Sequence, residues 1–139
     1  MKFTDGYWRI REGVQAFYPA QVYDVETTPN TVTVYAPTRH ITHRWDTLNG
    51  ALLTVEFSSP LPDVIRVRLT HWAGQQPRPP QFELLEQTAP SVTVRDAQDA
   101  TILTSGRLSV RVPRQDDWRI EFIADGHVVT ASGPRGMGI

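Results

Sequence analysis

Four histidines, at positions 40, 43, 71 and 127, are the first side chains to weigh for metal or proton chemistry. His40 and His43 are three apart, and Asp46 lies three further on. A metal needs three or four converging ligands, and a loop can bring such a trio together. No recognised spacing motif is completed, so a solvated loop is the plainer reading and no metal ligand is assigned. Paired carboxylates could do acid–base chemistry on a glycoside if a cleft held them about 5–10 Å apart. Asp116 and Asp117 are adjacent, and on a strand adjacent side chains point apart. Their place before Trp118 suits a turn, as do those of Asp96 and Asp99. Ser105-Gly106 and Ser132-Gly133 lack the flanking glycine of a nucleophile elbow. The glycine-rich run from Gly133 to Gly138 opens no helix, so it is not a phosphate cradle. The sequence therefore yields no catalytic residue, no cofactor site and no metal site.

The tryptophans, at 8, 45, 72 and 118, carry a different chemistry. An aromatic face stacks on a sugar ring or is buried at an interface, and aromatic burial dominates core energetics. Trp8 and Trp118 each fall within an alternating pattern and are expected in the core. Trp45 and Trp72 fall in loops. With His71 beside Trp72, these three are the candidates for substrate or interface contacts.

The elements that must position these groups have period two. In Arg107-Leu108-Ser109-Val110-Arg111-Val112 the apolar positions are 108, 110 and 112. Ile65 to Thr70, Leu53 to Ser58 and Trp118 to Phe122 repeat the pattern. Alternate strand side chains point to opposite faces, so each segment has one core face and one wet face. Half-buried strands of this kind belong to antiparallel sheets. Weaker strands are expected at Tyr7 to Arg11, Gln21 to Thr27, Thr31 to Ala36, Ser91 to Arg95 and Thr101 to Thr104. Asp125-Gly126 supplies the positive φ angles of a type I′ hairpin turn. Ser105-Gly106, Arg114 to Asp117, Pro29-Asn30, Ser59 to Pro62 and Gly74 are further breaks. No segment shows helical periodicity over three turns. Phe82 to Glu86, hemmed in by prolines, reads as a short strand or loop. Pro77 to Pro80 reads as a rigid loop, and Arg39 to Gly50 as a long loop or irregular strand. Many short strands with regular turns mean an all-β, antiparallel β-sandwich or barrel.

Composition narrows the function classes. The chain has 139 residues, about one small domain. It has no cysteine, which excludes disulfides, thiolate zinc sites and iron–sulfur clusters. Its net charge of −1 argues against a nucleic-acid binder, which would carry a basic excess. Of the 14 basic residues only Lys2 is a lysine, and the arginines sit singly rather than converging on an anion site. No apolar run approaches the ~20 residues of a membrane span, so no membrane partner is expected. Met1 to Gly6 lacks the apolar stretch of a secretory signal, and a cytoplasmic location is the default expectation.

Several stretches, taken in order, carry a family resemblance. They are Met1 to Trp8, Tyr18-Pro19, Val22 to Val25, Val34 to Pro37, Asp46 to Gly50, Phe57 to Pro60, and Val64 to Arg68 with His71. Thr104 to Val112 and Asp125-Gly126 through Met137-Gly138 complete the set. The chain resembles the N-terminal domain of a bacterial glycoside hydrolase family 31 enzyme of the α-xylosidase type, over essentially all of residues 1–139. The resemblance implies a galactose-mutarotase-like β-sandwich. It also implies a parent enzyme that hydrolyses α-linked glycosides with retention, in carbohydrate metabolism. The two catalytic aspartates of such enzymes lie in a (β/α)8 barrel that follows this domain, so none is carried over here. That barrel is then the expected partner, and strands that complete the sandwich are expected outside this chain. Where relatives commonly place an aromatic residue after Met-Gly, this chain has Ile139.

Two other readings compete. One is a free-standing carbohydrate-binding or protein-interaction module. The other is a mutarotase-like enzyme, which would need a histidine and a carboxylate flanking a sugar, and no such pairing is recognisable. A reading frame that continues past Ile139 into a barrel with two catalytic aspartates separates the first reading from the module. A sandwich parted from its barrel is also expected to self-associate through an exposed sheet face or edge.

Overall fold

A computed structural model describes residue 10 and residues 13–48, 50–72, 74, 90–114 and 117–139. The described residues form nine strands. They are β1 (Asp24–Thr27), β2 (Thr31–Pro37), β3 (Leu52–Ser58), β4 (Arg66–Thr70), β5 (Val92–Asp96), β6 (Ala100–Ser105), β7 (Leu108–Pro113), β8 (Ile120–Ala124) and β9 (His127–Ser132). They form two antiparallel sheets, ordered β1-β2-β3-β4 and β5-β6-β7-β8-β9. Every neighbouring pair in both sheets is consecutive in sequence. Short hairpin connections suffice for that topology, which is why turn residues recur so regularly.

Register explains the core. Val32 pairs with Phe57, Val34 with Val55 and Ala36 with Leu53. All six are fully buried. The facing sheet contributes Leu103, Val110, Val112, Trp118 and Ile120 to the same cluster. One shared core between two stacked sheets makes this a β-sandwich. A one-residue slip in β2 or β3 would turn the whole apolar set to water, so burial itself locks the register.

The turns largely match their residues. Asp125 and Gly126 have φ of 49° and 80°, as a type I′ turn between β8 and β9 requires. The β6–β7 turn sits one residue later than the break at Ser105-Gly106. Ser105 is the last residue of β6, pairs with Leu108 and is fully buried. Its hydroxyl accepts from Ser59 Oγ at 2.7 Å and donates to the Leu61 carbonyl at 3.3 Å. Those bonds let a polar residue stay inside, so the turn is Gly106-Arg107. The loop 39–50 is not wholly irregular, since Arg44–Thr47 is a 3-10 turn. One such turn is too short to show periodicity. Trp8, the strand expected at Tyr7 to Arg11 (Ile10 apart), Pro77 to Pro80 and Phe82 to Glu86 lie outside the described residues.

Candidate functional site

Pairing gathers one set of loops at one end of the sandwich. Pro37 ends β2 opposite Leu52, which begins β3. The connecting segment 38–51 therefore leaves and re-enters at the same edge of the sheet. The approach to β1 reaches that edge too, because the Ala20 N–H donates to Pro37 O at 2.9 Å. The Trp118 N–H in turn donates to Ala20 O at 2.9 Å, which brings the start of β8 alongside.

The segment 38–51 is tied down at several points. At its base the Thr38 N–H and hydroxyl both donate to Ala51 O at 3.1 Å. The Ile41 N–H donates to Gln21 Oε1 at 2.9 Å. Asp46 organises the middle. Its Oδ2 accepts from the Thr42 N–H at 2.9 Å, the Thr42 hydroxyl at 2.8 Å and the His43 N–H at 3.0 Å. Such bonds favour the ionised carboxylate. Those from Thr42, and then from His43, lower the Asp46 pKa from 3.8 to about 2.

A depressed folded-state pKa has a definite sign. The stabilisation from Asp46 is fully present above the unfolded value of 3.8 and is lost as pH falls toward 2. An NMR titration of the Asp46 carboxyl is expected to show a midpoint near 2 in the folded chain. A midpoint at the ordinary aspartate value would mean the three donors do not hold it.

Around this segment lies a cleft of about 210 Å³. Tyr23, Pro37, Arg39, Ile41, Asp46 and Leu52 are prominent in its lining. Tyr23 is 57% exposed, although it is a large aromatic residue. Arg39 is exposed and makes no ion pair among the described residues. The linear spacing of Tyr23 and Arg39 carries no signal. The β1–β2–β3 pairing is what brings them together.

The candidates named from sequence lie elsewhere. Trp45 is 61% exposed, and the Arg44 guanidinium lies 4.6 Å from its ring centroid. That is cation–π distance and occupies one ring face. Trp45 does not line the cleft. His71 and Trp72 line a separate depression with Leu69 and Thr70. His71 lies nearly parallel to Phe17, with ring centroids 6.4 Å apart and planes at 9°. Trp72 is 63% exposed and folds over Gly74, where a Cβ would overlap its ring.

His40, His43 and Asp46 do not act as one group. His40 Nε2 is 3.1 Å from Asp117 Oδ1, whereas His43 Nε2 is 3.5 Å from Asp46 Oδ1. The other perturbed carboxylates also move downward. Thr101 and Arg114 lower Asp96, while Arg119 and Arg111 lower Glu121. A glycosidase acid needs a raised carboxyl pKa. None of these groups moves in that direction.

No family model matches the chain. The chain is 35% identical over 132 residues to the α-xylosidase XylQ of Lactiplantibacillus pentosus, an alignment covering 95% of this chain and 17% of that protein. It is 32% identical over 112 residues to an α-xylosidase of Emericella nidulans, covering 81% of this chain and 14% of that one. The chain thus spans less than a fifth of the curated relatives it matches. Among solved structures it matches a protein of Listeria monocytogenes crystallised with α-D-glucose, β-D-glucose, magnesium and calcium. The TM-score is 0.55 at 18% identity, over 85% of this chain and 10% of that chain. That likeness bears on the fold alone.

Proposed function

Because the chain is related in sequence to the α-xylosidases of glycoside hydrolase family 31, we propose that it serves as the non-catalytic N-terminal β-sandwich domain of such an enzyme. One observation carries the reading. The match runs along nearly all of this chain yet accounts for under a fifth of the relatives. The downward shifts of Asp46, Asp96 and Glu121 support it, since none suits a general acid. In this reading the whole protein hydrolyses α-linked glycosides with retention, and its catalytic residues lie in a barrel outside residues 1–139. The single domain 1–139 packs against that barrel. Carbohydrate binding by the sandwich and a cytoplasmic location belong to the same reading.

The 139-residue chain alone is expected not to hydrolyse an aryl α-xyloside. Turnover that persists after contaminating host enzymes are removed overturns the assignment.

Self-association is part of the proposal as well. Val128 and Val129 on the end strand β9 are 53% and 60% exposed, as uncovered apolar side chains awaiting a partner would be. Light scattering of the isolated chain is expected to show a mass above the monomer. A strictly monomeric mass at high concentration counts against it. Trp45, Trp72 and His71 are assigned to interface or substrate contacts because all three are exposed near loops. The second reading, a free-standing carbohydrate-binding module, draws its support from the aromatic-walled cleft at Tyr23.

A further inference from the structure

We propose that the cleft between Tyr23 and the segment 38–51 binds one neutral pyranose residue.

The argument starts from the walls. The exposed Tyr23 side chain offers an aromatic face next to the apolar surfaces of Pro37, Ile41 and Leu52. A sugar presents a face of C–H bonds that packs on such a ring, and its hydroxyls then project sideways. Those hydroxyls need donors and acceptors at the rim, and the cleft holds one charged group of each kind. Arg39 carries five N–H donors and no ion-pair partner among the described residues. Asp46 supplies the acceptor. Its Oδ2 is committed to the loop, whereas among the described residues Oδ1 has only His43 Nε2 at 3.5 Å.

Charge selects among ligands. A guanidinium alone would favour an anion, but Asp46 lines the same cleft and repels one. A neutral polyol satisfies both groups. Size points the same way. Pockets for drug-sized ligands run to about 300–1,000 Å³. A volume of about 210 Å³ falls below that range and suits a single ring. The bonds tying Thr38 to Ala51 and Ile41 to Gln21 already order the loop. Binding then costs little ordering entropy.

The choice of a xyloside as first probe rests on the family reading, whereas the cleft does not. The test is a titration of the isotope-labelled chain, followed by amide NMR, with methyl α-D-xyloside, methyl α-D-glucoside and sodium glucuronate. Saturable shifts are expected at Tyr23 and within 38–51 with a neutral glycoside, and weaker ones with glucuronate. Tyr23→Phe is expected to keep binding and Tyr23→Ala to abolish it. Arg39→Gln is expected to weaken binding about ten-fold, the scale of one charge-assisted hydrogen bond. Tyr23 and Arg39 are both exposed, so unchanged shifts elsewhere establish that each variant folds. The proposal is overturned by absent saturation with both neutral glycosides, by shifts centred on His71 and Trp72, or by tighter binding of glucuronate. Any of those outcomes leaves the non-catalytic assignment standing, because that stands or falls on hydrolysis.

Discussion

Trp118→Ala is expected to destabilise the chain by about 3–5 kcal/mol, the range for deleting a buried large aromatic side chain. Trp118 is only 2% exposed and is the largest of the fully buried side chains. It lies just before β8, with Val112, Ile120 and the β2 and β3 valines in the same cluster. Its indole N–H donates to Ser132 Oγ at 3.4 Å, which ties the end of β9 to the core. Its backbone N–H holds Ala20, and through Ala20 the base of the loop that frames the cleft. Alanine removes the ring and opens a cavity that neighbouring strands cannot fill without shifting register. Domains of this kind are stable by about 5–15 kcal/mol, so the loss is a large share of the total. Urea unfolding is the measurement, with a lower midpoint at an unchanged slope. Trp118→Phe separates the two contributions. It keeps most of the apolar volume and loses the indole donor, so a cost of about 1–2 kcal/mol is expected. An alanine variant as stable as the phenylalanine one would show that the ring is not packed as described.

Trp118 also shows why so much of the fold was legible. It lies in the run Trp118-Arg119-Ile120-Glu121-Phe122, whose alternation assigns 118, 120 and 122 to one face without any structure. The first two are buried, and Phe122 packs partly against the core. The same period places β2, β3 and β7 within a residue or two, and the Asp125-Gly126 turn does so for β9. A pleated strand has no freedom to present its side chains otherwise. Legibility fails where a residue's fate depends on a distant partner. Ser105 reads as a turn residue and Thr101 as a strand residue with no face assigned, yet both are fully buried. Ser105 is satisfied from the 59–61 loop, and Thr101 donates to Asp96 at 2.7 Å. The cleft fails to show for the same reason. Tyr23 and Arg39 are adjacent only because Asp24 pairs with Tyr35 and Pro37 with Leu52. Trp45 and Trp72 stand out in the sequence because they fall in loops. Loop position alone does not say which loops meet.

The second large effect is expected at the opposite end of the sandwich, where two loops lock together. Gly106 has φ of +58°, and Asp63 in the facing loop has φ of 61°. Two residues with left-handed backbones thus meet at one contact. The Asp63 carboxylate accepts the Arg107 N–H, which joins the β3–β4 loop to the β6–β7 turn and so one sheet to the other. A Cβ on Gly106 would overlap that carboxylate and lie 3.2 Å from the Asp63 backbone nitrogen. Gly106→Ala therefore meets two penalties. A left-handed backbone costs a non-glycine residue about 1–2 kcal/mol, and overpacking adds about 1–3 kcal/mol. A total loss of about 2–5 kcal/mol is expected, against a near-neutral result for alanine at an ordinary exposed turn. A double-mutant cycle apportions it. In an Asp63→Ala background the overlap with the carboxylate is gone, so Gly106→Ala should cost only the backbone share, about 1–2 kcal/mol. Equal costs in the two backgrounds would mean that the loops do not touch there. A reduced cost with Asp63 removed ties the stability of both sheets to one carboxylate, far from the cleft. Variants in the cleft and at this contact should then add independently, because no side chain is shared between them.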